Sequence, residues 1–224
     1  MASSQPSPTT RQTLLLYWAG VRIMMHRLMR KLFGSNAPPP VDWRELRVLL
    51  VGLDDAGKSS LVRRAGDATA EIDTSLPRTS GFSVRTVTVE PDFKCELWEI
   101  GGAAETRAFW PRYATRQTDA VAWVVDGANP SRLGESAKAL AELLRAAPHL
   151  RTLPLLVLVS KADQPQVLGA AAVSDGLGLD ALNTQGLSYG PRKVQTVSAA
   201  DGRHLEDSLR WLCQASIGVE EEQL

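Results

Sequence analysis

Gly52-Leu53-Asp54-Asp55-Ala56-Gly57-Lys58-Ser59-Ser60 is the stretch whose reading decides the fold. It follows the apolar run Val48-Leu49-Leu50-Val51, which reads as a buried strand, and it opens a helical stretch, Leu61-Val62-Arg63-Arg64. A glycine, four residues and then Gly-Lys-Ser in a strand-to-helix turn is the pattern of a phosphate-cradling loop. Glycines let the backbone curl so that several N–H groups point inward at phosphate oxygens. The helix N-terminus contributes the positive end of its dipole, and Lys58 a mobile full charge for the β and γ phosphates. The Ser59 hydroxyl is a hard oxygen of the kind Mg²⁺ prefers. Gly52, Asp54, Asp55, Ala56, Gly57, Lys58, Ser59 and Ser60 are thus the expected phosphate-binding residues. An ordinary Gly-rich turn is the bland alternative, and the flanking strand and helix weigh against it.

Working outward, the pattern repeats the strand–helix theme. Residues 81–90 alternate, Phe82, Val84, Thr86 and Thr88 against Ser83, Arg85, Val87 and Val89, as a half-exposed strand does. Pro91-Asp92 marks a turn, after which Phe93, Cys95 and Leu97 alternate with Lys94 and Glu96, which predicts an antiparallel hairpin. Residues 120–126 and 153–160 are near-continuous apolar runs, and 193–198 is a shorter one. Helical stretches fall at 132–147 and 205–215, whereas 169–191 carries several glycines and little periodicity and reads as a helix remnant and loop. Strands alternating with helices predict an α/β fold of three layers: a mostly parallel six-stranded sheet with one antiparallel edge hairpin, covered by helices on both faces.

Length and charge set the frame around this domain. A chain of 224 residues, 44% hydrophobic and 22% charged, holds one ordinary globular domain plus extensions. The formal net charge of zero hides an asymmetry. Residues 1–41 carry Arg11, Arg22, Arg27, Arg30 and Lys31 and no acid, so that of 25 basic and 25 acidic residues the rest holds 20 and 25, a net of −5. A mildly acidic domain is not built to bind nucleic acid. Cys95 and Cys213 lack metal-ligand spacing and read as buried free thiols in a reducing compartment. The expected organisation is residues 1–41 as an extension, 42–216 as the domain and 217–224, with Glu220-Glu221-Glu222, as a solvated acidic tail.

The extension has its own pattern. Its first ten residues are rich in Ser, Thr and Pro and read as disordered. Leu14, Trp18, Val21, Met25, Leu28 and Leu32 then share one helix face, with Arg27, Arg30 and Lys31 elsewhere on the wheel. The apolar stretch 14–25 is broken by Arg22 and is shorter than the roughly 20 residues that spanning requires. An amphipathic helix in a membrane interface fits, with Tyr17 and Trp18 at headgroup depth and reversible binding. Packing against a core or partner, and a mitochondrial presequence, are the alternatives. Gly34 and Pro38-Pro39-Pro40 end the helix in a stiff linker, and Ala2 rules out N-myristoylation.

Four further clusters fall in the order that a guanine-nucleotide site needs. Thr79, before the hairpin, is placed to bring a hydroxyl to Mg²⁺ and a γ-phosphate. Trp98-Glu99-Ile100-Gly101-Gly102 ends in a Gly pair, and the Gly102 backbone can approach a phosphate without side-chain obstruction. Ser160-Lys161-Ala162-Asp163 closes a buried strand at the carboxyl edge, where α/β sheets bind ligands. The Asp163 carboxylate there accepts from the guanine N1–H and 2-amino group, which adenine lacks, and Lys161 lies along the base. Ser198 and Ala199, after the last strand, offer a backbone N–H to the guanine oxygen.

The sequence resembles the ADP-ribosylation-factor (Arf/Arl) family of small GTPases. The likeness rests on residues 52–60, on Thr79-Ser80-Gly81-Phe82-Ser83-Val84, on Trp98 to Gly102 and on Trp110-Pro111-Arg112-Tyr113, with compatible spacing from about residue 47 to 213. It implies binding of GTP and GDP with Mg²⁺, held by Ser59 and Thr79 with the 99-position carboxylate in the outer shell. It also implies an amphipathic N-terminal helix that GTP expels toward a membrane, a register shift of the hairpin, and partners of three kinds: exchange factors, GTPase-activating proteins and effectors. Peripheral association with an intracellular membrane from the cytoplasm follows. Three departures stand out. Ala103 replaces the Gln that orients the attacking water, so no catalytic residue is assigned and intrinsic hydrolysis is expected to be weak. Glu99 replaces Asp and Ser160 replaces Asn. A non-hydrolysing pseudo-GTPase scaffold is the first alternative, and a P-loop ATP enzyme the second. Trp123 and Trp211 are expected in the core, Trp110 in the core or on an effector surface, and His149 and His204 facing solvent.

Overall fold

The computed structural model describes residues 44–71, 79–90, 93–184, 186–187 and 190–222. The expected N-terminal helix, its linker and the Pro91-Asp92 turn lie outside the described residues. Six strands form one sheet: β1 (Arg44–Gly52), β2 (Phe82–Glu90), β3 (Phe93–Ile100), β4 (Ala120–Asp126), β5 (Leu155–Ser160) and β6 (Arg192–Thr196). Their order is β2-β3-β1-β4-β5-β6, with β2 and β3 antiparallel and every other pairing parallel. The expected parallel sheet with an antiparallel edge hairpin is present.

Both faces of the sheet are covered, which is why β4 and β5 read as unbroken apolar runs rather than alternating ones. Leu49 and Val51 point into one layer with Val121, Trp123 and Val125, against α4 (Leu133–Ala146) and two short helices, α5 (Ala170–Gly176) and α6 (Leu179–Thr184). Val48 and Leu50 point into the other with Ala122 and Val124, against α1 (Lys58–Gly66) and α7 (Leu205–Glu222). Between β3 and β4 lie α2 (Ala104–Arg107) and α3 (Trp110–Tyr113). Each buried leucine in these layers is worth about 1.5–3 kcal/mol in transfer free energy.

Several expectations need correcting. The segment after Gly169 folds into α5 and α6 rather than a helix remnant with a loop; Val173, Leu177, Leu179 and Leu182 bury themselves, and Gly178 turns the chain at φ 63°. The last helix passes residue 215 and runs to Glu222, inside the stretch read as a tail. β2 does not hold a single buried face. Phe82 and Val84 are 49% and 42% exposed, and only Val87 is buried. The apolar residues change face between residues 84 and 87, and β2 is an edge strand with no neighbour on its outer flank among the described residues. His149 is half-buried, and its Nε2 is buried with no hydrogen-bond partner among the described residues, whereas His204 is exposed as expected.

Trp123 is fully buried and donates from Nε1 to Ser136 Oγ at 3.0 Å. Trp110 meets it edge-on at 5.6 Å and is likewise in the core; Trp211 is half-buried against the α1–α7 layer. Trp110 also holds the site, since its Nε1 donates to Gly101 O at 2.9 Å and fixes the Gly pair.

Candidate functional site

The loop between β1 and α1 takes the shape its residue types allow. Gly57 sits at φ 84° and Asp55 at φ 59°, the left-handed region that Gly visits freely and Asp tolerates better than most. Gly52 has no room for a side chain, because a Cβ there would stand 2.3 Å from Val124 O. The resulting curl closes on Lys58. Its side chain turns back so that Nζ donates to Gly52 O at 3.0 Å and Leu53 O at 2.7 Å. Only 6% of Lys58 is exposed, and burial pulls its pKa down from 10.5 to about 8, against the opposing pull of Glu99, Asp54 and Asp55. A cation held partly desolvated in a cradle of backbone dipoles is suited to meet an anion. Asp55 is exposed, Ala56 buried and Ser60 half-buried on α1.

At the start of α1, hydroxyls converge on one carboxylate. Ser59 Oγ donates to Glu99 Oε1, and Thr79 Oγ1 donates to the same oxygen at 3.1 Å; Ser59 Oγ and Thr79 Oγ1 are 3.1 Å apart. Ser83 Oγ donates to Glu99 Oε2 at 3.2 Å. Glu99 is 3% exposed at the end of β3. Two hydroxyls and a buried carboxylate form an all-oxygen set that fits Mg²⁺ in ligand type. Ser83 was not singled out in the sequence, although its place one turn of the β2 pleat from Thr79's loop, opposite Glu99, is the register that brings it there.

Gly102 packs directly on the loop. Asp54 N–H donates to Gly102 O at 3.1 Å, and a Cβ on Gly102 would stand 2.4 Å from both Asp54 N and Gly52 O. Ala103 follows with only a methyl group. Around this contact lies a charged network that sequence reading missed: Arg107 donates to Gly102 O, Asp54 and Glu135, and Arg132 to Asp54 and Glu135. Its members are spread over 82 residues of chain, and no local spacing announces them. The bonds from Arg132 and Arg107 hold the Glu135 carboxyl below its ordinary range.

The second cluster lies at the carboxyl ends of β4, β5 and β6. Lys161, in the left-handed region at φ 62°, pairs with Asp126 at 2.6 Å. Asp163, an exposed residue just past β5, accepts from Ser198 Oγ at 2.8 Å. Ala199 and Ala200 are held through their carbonyls by Arg64 of α1, at 2.6 Å and 2.7 Å. Ser160 joins the two clusters: its Oγ lies 2.7 Å from Ala56 O and 3.0 Å from Val125 O, and it is 2% exposed. The structure thus brings the phosphate loop, Thr79, Glu99 and Gly102 together, with Ser160, Lys161, Asp163, Ser198 and Ala199 adjoining. Neither Asp126, at the end of a run read as apolar, nor Arg64 was singled out in the sequence.

A model of the ADP-ribosylation factor family matches residues 26–216. The chain belongs to the ADP-ribosylation factor family. Arf proteins are small GTPases, and the matched span covers every site residue above. Among solved structures, the chain is similar to the Arl6 BBS3 small GTPase from Trypanosoma brucei with a bound GppNp analogue. The TM-score is 0.65 and the identity 22%, over 78% of this chain and 98% of that one. It is also similar to the mammalian SRP receptor structure, with TM-score 0.64 and 19% identity over 75% of this chain and 99% of that one. At these identities the likeness is one of fold, and the Arf assignment rests on the family match. Among the described residues no helix is long and apolar enough to cross a membrane.

Proposed function

We propose that this Arf-family protein binds GTP and GDP with Mg²⁺ and acts as a switch in membrane or intracellular trafficking. The observation that carries the reading is the Ser160 bridge, which ties the strand end bearing Lys161 and Asp163 to the phosphate loop through Ala56 O. One nucleotide then spans both clusters. Phosphates lie on the loop and Lys58, the cation meets Ser59 and Thr79, and the base meets Asp163 with the Ala199 N–H nearby. When bound, Mg²⁺ neutralises phosphate charge; the residues of this chain hold and orient it. The net negative charge of the domain argues against nucleic acid as a partner.

The partners proposed are an exchange factor, an activating protein and effectors. The exposed Phe82, Val84 and Phe109, with Phe82 stacked on Trp98 at 5.7 Å, give effectors an apolar surface beside Thr79. The basic amphipathic pattern of residues 13–33 supports reversible association with an intracellular membrane from the cytoplasm. Intrinsic hydrolysis is weak in this reading, because Ala103 has no group to orient water. That same residue favours the second reading, a pseudo-GTPase scaffold held in one nucleotide state.

The test is competition against a fluorescent GDP by GTP and ATP, followed by chromatography of bound GTP over several hours. GTP winning by more than about 100-fold supports guanine selectivity, a ratio within reach of a site built on a hydrogen-bonded carboxylate. ATP winning would overturn it. GTP found intact after hours supports weak turnover, and rapid conversion to GDP would make the chain a self-sufficient enzyme.

A further inference from the structure

We infer that Glu99 is a direct ligand of the bound cation, with its Oε1 replacing a water that a shorter carboxylate would leave in place. The inference deepens the guanine-nucleotide reading and rests on it. Three oxygens from three segments meet at this point: Ser59 Oγ from α1, Thr79 Oγ1 from the loop before β2 and Glu99 Oε1 from β3. Thr79 Oγ1 lies 3.1 Å from each of the other two, and the Ser59–Glu99 contact is shorter still. Neighbouring ligands of an octahedral Mg²⁺ with bonds of 2.0–2.1 Å are about 2.9 Å apart. The two Thr79 distances are close to that spacing, and the hydrogen-bonded Ser59–Glu99 pair has to part slightly to admit the ion.

The carboxylate is also aimed. Its second oxygen, Oε2, accepts from Ser83 Oγ at 3.2 Å, which turns Oε1 toward Ser59 and Thr79. Glu99 is 3% exposed and sits on β3, held between β1 and β2, so the group is fixed by a rigid element. An aspartate at this place ends one C–C bond earlier, about 1.5 Å short. That shortfall withdraws the carboxylate from contact with a cation held by Ser59 and Thr79. Glutamate closes it, and the site gains a full negative charge in contact with the metal. Such a ligand favours retention of the cation beside a nucleoside diphosphate, where the phosphate charge is smaller.

The experiment uses the full chain loaded with GDP and Mn²⁺, which takes similar oxygen ligands. Broadening of the Mn²⁺ electron paramagnetic resonance lines in ¹⁷O-water counts the waters on the metal, and titration gives the Mn²⁺ dissociation constant. The expected result is one water fewer in the natural chain than in Glu99→Asp. Glu99→Gln, similar in size and lacking the charge, is expected to weaken Mn²⁺ binding by more than about 100-fold, beyond the 10–100-fold typical of an outer-shell group. Bound GDP in each variant shows that the fold is intact. Equal water counts in the natural chain and Glu99→Asp overturn the inference and leave the nucleotide reading standing. A natural chain that takes up no GDP overturns both.

Discussion

Lys58 carries a charge that the fold disfavours. Burial brings its pKa from 10.5 to about 8, so the unfolded chain holds this proton more tightly than the folded one. The resulting cost to folding is full below about pH 8 and fades as pH rises toward 10.5, where both states are neutral. A phosphate in the cradle reverses the balance by stabilising the ammonium. GDP binding is therefore expected to take up about half a proton at pH 8 and almost none at pH 6.5. Calorimetry in two buffers of different ionisation enthalpy measures this, and equal apparent enthalpies at pH 8 would count against it. Gly102 sets a second residue-scale expectation. Its missing Cβ leaves room for Asp54 N and Gly52 O, both rigid backbone. Gly102→Ala is expected to cost about 1–3 kcal/mol as overpacking and to weaken GDP binding at least tenfold. At the next position, Ala103→Gln restores a water-orienting amide, and single-turnover hydrolysis is expected to rise by about tenfold or more. An unchanged rate would show that water is positioned elsewhere.

Among the elements, the segment of α2 is tied to the phosphate loop by charge rather than by packing, since none of its four residues is buried. Arg107 and Arg132 share Asp54 and Glu135, and Glu135 is 42% exposed. Exposed pairs of this sort are worth at most about 1 kcal/mol. Glu135→Ala is expected to lower Tm by only about 2–4 °C. Faster hydrogen exchange confined to residues 103–107 would localise the loss, and exchange unchanged there would disprove the tether. These short elements also mark where sequence ceased to be informative. β4 and β5 were legible because Ala120–Val125 and Leu155–Val159 are consecutive apolar residues buried against two cores. α2 and α3, at four residues each, span little more than one turn, far short of the 11–18 residues over which a helical period shows. The phosphate loop, Thr79, Glu99, Ser160 and Asp163 were legible as motifs, because chemistry restricts their residue types. Arg64, Ser83 and the Arg107–Arg132 network were not. They act through pairings across the fold, which no local spacing records.

For the molecule as a whole, one sheet sealed on both sides makes stability a matter of two cores. Leu140 and Leu156 are fully buried, one in each. Either one changed to alanine is expected to cost about 2–5 kcal/mol, measured by urea unfolding, with the spread set by how far the site collapses. In the proposed reading, membrane association belongs to the basic extension. The full chain is expected to co-sediment with anionic vesicles, and a chain beginning at Val41 to stay in solution; equal binding would place the contact on the domain instead. The two core cysteines carry one more consequence. Cys95 of β3 and Cys213 of α7 lie with their sulfurs 3.2 Å apart, both almost wholly buried, and the shared contact and burial push the Cys95 thiol up. Each shields the other from any reagent until α7 lifts away from the sheet. The chain therefore contains its own stopwatch: the pace at which a thiol reagent labels this pair reports how often the last helix lets go.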